Sequence, residues 1–235
     1  MPSSTRAWSA RVQPAVQRGL AARRKVRLTL HHGITSGVIP GGTRLVQSVI
    51  ADEFAVSARQ VHEALRDLAA DGLVRFDPRG GAVVQELCRS DLEDIYQIRM
   101  LLEPAAAARS AVSASEDALL RAVTLLAAME SETDAGQWTR LDSGFHRVIG
   151  DAGGSPRLAT ICENLREASA RYVRHSILAV PGRADESNAE HEAILRAVLK
   201  KDPAAAADAM FRHLDGTLSA LRVHPVQRRQ PSLTG

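Results

Sequence analysis

Cysteine is scarce in this chain of 235 residues: only Cys88 and Cys162 occur, far apart in the sequence. That excludes a disulfide framework and a cysteine-based zinc site, and both thiols are expected to be reduced. Aromatic residues make up only 3% of the chain, while alanine is abundant, a composition that argues against a β-sandwich and for closely packed helices. No apolar run approaches the roughly 20 residues needed to span a bilayer, and the opening MPSSTRAWSARVQPAVQRGL has no apolar signal core. A cytoplasmic protein with no membrane partner is the expectation.

Charge is present but divided. Residues 1–87 carry a net +5, residues 88–221 a net −5 and the remaining tail +3, which returns the overall +3. A basic front and an acidic middle suggest two modules, the first suited to a polyanion.

The front reads as follows. Residues 1–15 are polar and without period, so they are expected to be a flexible arm. A first helix is predicted from about Val16 to Ser36, ended by GVIPGG at residues 37–42. Ala51, Ala55, Val56 and Val61 then have the spacing of a helix-turn-helix, whose small residues let two helices approach closely. Ser57 is placed to cap the second helix, and Val61, Leu65 and Leu68 form its core stripe. The other face presents Arg59, Gln60, His62 and Arg66. The run DGLVRFDPRGGAVV alternates around Asp77–Gly81 as a β-hairpin, the wing of a winged helix-turn-helix. Such a helix fits the major groove, and arginines at its margin or the wing tip neutralise phosphates. Candidate DNA contacts are Arg44, Ser57, Arg59, Gln60, His62, Arg66, Arg79 and Gly80, with Gly80 letting backbone approach the duplex closely.

Beyond residue 88 the helical pattern is nearly continuous. Six helices are predicted: 90–112, 114–131, 136–151, 156–178, 187–200 and 203–222. Ser90 with Glu93, Ser113 with Glu116 and Ser187 with Glu190 have capping-box spacing, and Ser155-Pro156 and Asp202-Pro203 are start signals. Short connections predict an antiparallel bundle over 88–223, with a flexible tail at 224–235. The fold class is therefore mainly α, a winged helix-turn-helix over 16–87 followed by that bundle.

Within the bundle, Asp142 and His146 lie one helical turn apart on the margin of a stripe formed by Leu141, Phe145, Val148 and Ile149. His191 opens the stripe Ile194, Leu195, Val198, and His213 sits beside Met210 and Thr217. One carboxylate and three imidazoles from three helices would suit zinc, nickel or manganese. Taken singly, each histidine reads as a hydrogen-bonded core partner before it reads as a ligand, and the spacing is not diagnostic.

Two resemblances sharpen this. GVIPGGTRL followed by VSARQVHEALRDLAADGLVRFDPRGGAVV resembles the winged helix-turn-helix of GntR-family transcription regulators. The chain departs from that pattern: the family's arginines are replaced by Ser48, Ala58 and His62, and its common proline by Gln60. IYQIRMLLEPAAAARSAV, LDSGFHRVIGDAGGSPRL and AEHEAILRAVLKKDPAAAADAMFRHL resemble the FCD ligand-binding domain of the same regulators. The resemblance implies a divalent metal, zinc first, at Asp142, His146, His191 and His213. It also implies a small carboxylate effector, for which Arg99 and Arg171 are candidate partners, although surface or interhelical ion pairs account for both arginines equally well.

The expectation is a homodimeric regulator, a repressor rather than an activator, that binds double-stranded operator DNA and senses an organic acid, and not an enzyme. The alternatives are a metal-dependent enzyme and a structural DNA-binding protein of little sequence specificity.

Overall fold

The computed structural model describes residues 5–78 and 81–224. The chain divides into two compact units, Met1–Glu86 and Leu87–Gly235. The first contains three helices, α1 (Thr5–Thr35), α2 (Gln47–Phe54) and α3 (Ala58–Ala70), and three short strands, β1 (Arg44–Leu45), β2 (Val74–Phe76) and β3 (Ala82–Val84). The second contains α4 (Arg89–Ser113), α5 (Glu116–Ser131), α6 (Ala135–Ala152), α7 (Pro156–Ala179), α8 (Arg183–Leu199) and α9 (Pro203–Val223). This is the mainly α architecture of a winged helix-turn-helix followed by a six-helix bundle.

Helix α1 starts well before the predicted Val16, so the backbone is helical where an irregular arm was expected. Alanine, arginine and glutamine in TRAWSARVQPAVQRGLAARRK are good helix formers, and that propensity outweighs the missing apolar period. Residues 1–4 lie outside the described residues, as do Arg79, Gly80 and all of the expected tail except His224.

The first core is wholly apolar. Val26, Leu30 and Ile34 from α1 meet Val61, Ala64, Leu65 and Leu68 from α3, and Leu45, Val74, Ala82 and Val84 close it from the sheet. Arg23 pairs with Asp67 at 2.5 Å and Arg27 with Asp71 at 2.8 Å along the α1–α3 margin. Between α2 and α3, Ala55 takes a left-handed conformation (φ 52°) while its amide bonds to the end of α2. Ala51 is buried and Ala55 is exposed. Of the two alanines, Ala51 thus serves close helix packing, while Ala55 occupies an exposed left-handed turn that a β-branched residue would tolerate worse.

Ser57 accepts from the Gln60 amide at 3.3 Å, and Gln60 Oε1 accepts from the Ser57 amide at 2.8 Å, a complete capping box. The sheet is antiparallel in the order β1-β3-β2. At its turn Gly81 has φ +93°, and a Cβ there would lie 2.5 Å from the Leu45 carbonyl oxygen. Close approach at this glycine is to the neighbouring strand β1, a constraint internal to the sheet.

In the bundle three predicted start signals shift. Cys88, not Ser90, caps α4 by accepting from the Asp91 amide at 3.4 Å. Ser115, not Ser113, caps α5, and Ser113 Oγ instead donates to the Ala152 carbonyl at 2.6 Å. Helix α8 begins at Arg183 behind Gly182, so Ser187 is a buried helical residue. At the first two starts a second candidate cap two residues away leaves the register open, and tertiary bonding decides it.

Replacing Ser57 with Ala should destabilise the first turn of α3 by about 1 kcal/mol. Faster amide exchange at Gln60 and Val61 in the variant, with exchange in α7 unchanged, is the expected result.

Candidate metal centre

Helix α6 is set by Asp134, which accepts from the Gln137 amide at 2.8 Å, and by the buried stripe Trp138, Phe145 and Ile149. That phase puts Asp142 and His146 on its inward side. Helix α8 buries Ile194, Leu195 and Val198 and carries His191 inward, and α9 buries Met210, Leu214 and Leu218 and carries His213. The relative exposures of Asp142, His146, His191 and His213 are 6%, 1%, 0% and 4%. One candidate ligand atom from each lies within 4.8 Å of all the others.

The contacts are specific. His146 Nε2 is 3.2 Å from His191 Nε2 and 3.1 Å from His213 Nε2. Asp142 Oδ1 is 3.2 Å from His191 Nε2 and 3.6 Å from His146 Nε2. Three ring nitrogens so close cannot each carry a proton toward the others, and a lone pair facing a lone pair is unfavourable in a buried site. Such a donor set fits a divalent cation: neutral imidazole suits zinc or nickel, and the carboxylate suits manganese as well.

Charge states agree. Burial, reinforced by His213 and His191, pushes His146 well below the ordinary histidine range, and burial and His213 lower His191 against the opposing pull of Asp142. Both imidazoles are therefore neutral at pH 7, the form that ligates. Burial alone would raise the Asp142 carboxyl, but the bond with His191 and the nearby charges lower it, so it stays ionised.

Two ion clusters flank the four residues. On one side His213 Nδ1 donates to Glu190 Oε2 at 2.8 Å, and Glu190 accepts from Arg183 at 3.0 and 2.8 Å. Despite burial, these bonds hold the Glu190 carboxyl down at about 2. On the other side Glu103 Oε2 faces His146 Nδ1 at 3.5 Å and Arg166 at 3.3 Å. Arg99 donates to Glu103 Oε1 at 2.6 Å and to Ser169 Oγ at 2.9 Å.

Of the two effector candidates, Arg99 belongs to this second cluster, is 3% exposed, and its charge acts on Asp142. Arg171 is buried on α7, near Tyr172 and Asp91. Burial lowers its pKa. Sequence reasoning missed Glu103, Arg166 and Arg183. The signal was there for Arg166, which sits in the buried α7 stripe Ala159, Cys162, Ser169, Val173, where a charge needs a reason.

The candidate DNA-contacting residues lie in the first unit. Ser57, Arg59, His62 and Arg66 are exposed and Gln60 half-buried. Arg59 pairs with Glu63 at 3.1 Å, His62 Nδ1 is 3.1 Å from Gln47 Nε2, and Arg44 pairs with Asp77 at 2.7 Å.

Comparison with known proteins meets both units. Residues 22–84 match the model of bacterial regulatory proteins of the gntR family, and residues 94–216 that of the FCD domain. An HTH-type transcriptional regulator from the TAR-I ttuE-ttuC' intergenic region of Agrobacterium vitis is 36% identical over 127 residues, 51% of this chain and 74% of that protein. The gluconate operon transcriptional repressor of Bacillus subtilis (strain 168) is 29% identical over 202 residues, 81% of each chain. Among solved structures, a GntR-family regulator from Pseudomonas syringae pv. tomato is 31% identical with TM-score 0.52, covering 86% of this chain and 87% of that one. E. coli McbR/YncC, 22% identical with TM-score 0.74 over 86% of this chain and 98% of that one, shares the fold. The Agrobacterium, Bacillus and Pseudomonas relatives are transcriptional regulators, and this chain belongs to the GntR family of DNA-binding regulators, in the branch that carries an FCD domain.

Proposed function

We propose that this regulator is a metal-dependent, effector-responsive repressor that binds operator DNA as a homodimer. The observation that carries the proposal is the closed set of Asp142, His146, His191 and His213 inside the bundle. These four residues would hold the cation, zinc first and nickel or manganese as alternatives. Bound there, a divalent cation supplies a Lewis-acidic position for an anionic ligand. Of the two candidates, Arg99, whose charge acts on Asp142, would add a guanidinium to a carboxylate there, with Arg171 the second. Repression is the role named for the B. subtilis gluconate operon protein and is carried to this chain by likeness.

For DNA, α3 is the groove helix, with Arg59, His62 and Arg66 as its exposed readers, Arg44 on β1 as a further contact, and Arg79 and Gly80, outside the described residues, kept as candidates from the sequence. Ser57 and Gln60 serve the helix start first, and any contact they make is with the backbone. Supporting a dimer, the outer side of α4 carries Ile98, Leu101, Ala105 and Val112 exposed at helix-seam spacing.

Three outcomes test this. His191→Ala should abolish stoichiometric metal in the purified protein, read by plasma emission analysis, and remove the response to organic acids while operator binding persists. Unchanged metal content would sink the site. Arg59→Ala and His62→Ala should alter base preference in a selection from random DNA, whereas Arg79→Ala should weaken all sequences alike and reduce the salt slope by about one. A wild-type protein that selects no preferred site at low salt would instead be a structural DNA binder. Leu101→Asp should shift the sedimenting species from dimer to monomer at micromolar protein.

A further inference from the structure

We infer that Glu190 is a positioning residue for the metal centre: its carboxylate fixes the ring of His213 so that the Nε2 lone pair faces Asp142, His146 and His191, and Gly216 makes the room this carboxylate occupies. The inference rests on the reading of those four residues as a metal site.

Three observations carry it. The first is the bond itself, His213 Nδ1 to Glu190 Oε2 at 2.8 Å. A carboxylate only accepts, so a proton is on Nδ1, and in the neutral ring Nε2 keeps its lone pair. With the proton on Nε2 instead, it would point at His146 Nε2, 3.1 Å away. The second is that the carboxylate is itself held from behind. Arg183, 2% exposed, grips it through two nitrogens and donates to Thr217 Oγ1 at 2.9 Å, and Thr217 Oγ1 donates to the His213 carbonyl at 3.2 Å. The loop of bonds closes on the same histidine through side chain and backbone.

The third is steric. A Cβ at Gly216 would lie 2.9 Å from Glu190 Oε1 and 3.6 Å from Arg183 Nη2. The atom it meets first is the movable end of a side chain, so α9 can accept alanine there. The displacement then falls on the carboxylate.

The other two imidazoles lack this support. His146 Nδ1 faces Glu103 without a hydrogen bond, and His191 Nδ1 is buried with no partner among the described residues. Glu190 is thus the one carboxylate hydrogen-bonded to the outer nitrogen of any of the three rings, among the described residues. A carboxylate in that place orients a ligating ring and raises its basicity. The competing view, that Glu190 serves only as counter-ion to Arg183, predicts no effect on the histidine ring.

The test uses the full-length protein, labelled with nitrogen-15 and stripped of metal. In the wild type and in Glu190→Gln, which keeps an acceptor oxygen, long-range nitrogen–proton spectra should show His213 protonated at Nδ1. In Glu190→Ala the proton should move to Nε2. Zinc titrated against a chromophoric chelator should bind Glu190→Ala about 10- to 100-fold more weakly than wild type, with Glu190→Gln in between. Gly216→Ala should weaken zinc in the same direction while its metal-free melting temperature holds or rises, since alanine favours helix over glycine. It also decides the matter should Glu190→Ala fail to fold. Wild-type tautomer and wild-type zinc affinity in both alanine variants would overturn the role assigned to Glu190. A wild-type protein that takes no zinc, nickel or manganese would overturn the metal reading beneath it, and the spectra would still show whether Glu190 sets the ring.

Discussion

The bundle is built around a group of polar side chains that cannot satisfy one another. Three imidazole nitrogens and a carboxylate oxygen meet in an interior shielded from water, and hydrogen bonds alone leave lone pairs opposed. Burying such groups unpaired costs several kilocalories per mole by the usual reckoning, so their partners must be supplied. The flanking clusters are the visible part of that supply. Glu190 with Arg183 stands behind His213, and Glu103 with Arg99 and Arg166 stands before His146. Within these flanking clusters each charge has an opposite charge within hydrogen-bonding or near hydrogen-bonding reach, as a low-dielectric interior requires.

This constraint separates the two units by their chemistry. Among the described residues, every buried polar or charged side chain lies at position 99 or later, and the core around α3 is entirely apolar. An apolar core holds a surface in shape and has little to bind with. A core containing arginines, carboxylates and imidazoles gives up packing energy for recognition inside. Under the function proposed above, presentation outward in the first unit and reception inward in the second would be the division of labour of a regulator that reads DNA with one part and a small molecule with the other. The small residues Ala106, Ala107, Ala111, Ala206 and Ala209 serve the same end, letting α4 and α9 approach closely enough to seal the polar interior.

Much of this was legible from period and spacing. The stripes of Val61, Leu65 and Leu68, and of His191, Ile194, Leu195 and Val198, put the right faces inward because the 3.6-residue repeat is a strong signal when apolar residues obey it. Caps were less legible. Ser90, Ser113 and Ser187 have the expected spacing, yet Cys88, Ser115 and Gly182 hold the positions, since a cap is chosen by bonds that spacing does not record. Glu103 and Arg166 were missed because a charge in a helix is first read as surface. Only the buried residues on either side in the same stripe reveal it as interior. Arg171 is buried on α7 as well, but facing the core does not say which part of the core is faced.

The same reasoning bears on α3, where this chain departs from the GntR pattern. Gln60 occupies the place of a common proline, and its oxygen closes the capping box with Ser57. A proline at that position would lack the amide that Ser57 accepts from, so the glutamine exchanges a rigid start for a hydrogen-bonded one. His62 stands where an arginine is usual, and it is held by Gln47 and lies against Phe76, with ring centroids 5.2 Å apart. A ring fixed between α2 and the wing strand can offer one nitrogen in one direction, whereas an arginine offers a fork of donors over a wide reach. Arg59 is different, because its exposed pair with Glu63 is of a kind worth only about 0.3 to 0.5 kcal/mol and is readily exchanged for a phosphate or a guanine. On the proposed reading of α3 as the groove helix, the departures leave the exposed cations Arg59 and Arg66 and one fixed ring, which favours a sequence preference that is shifted over one that is lost.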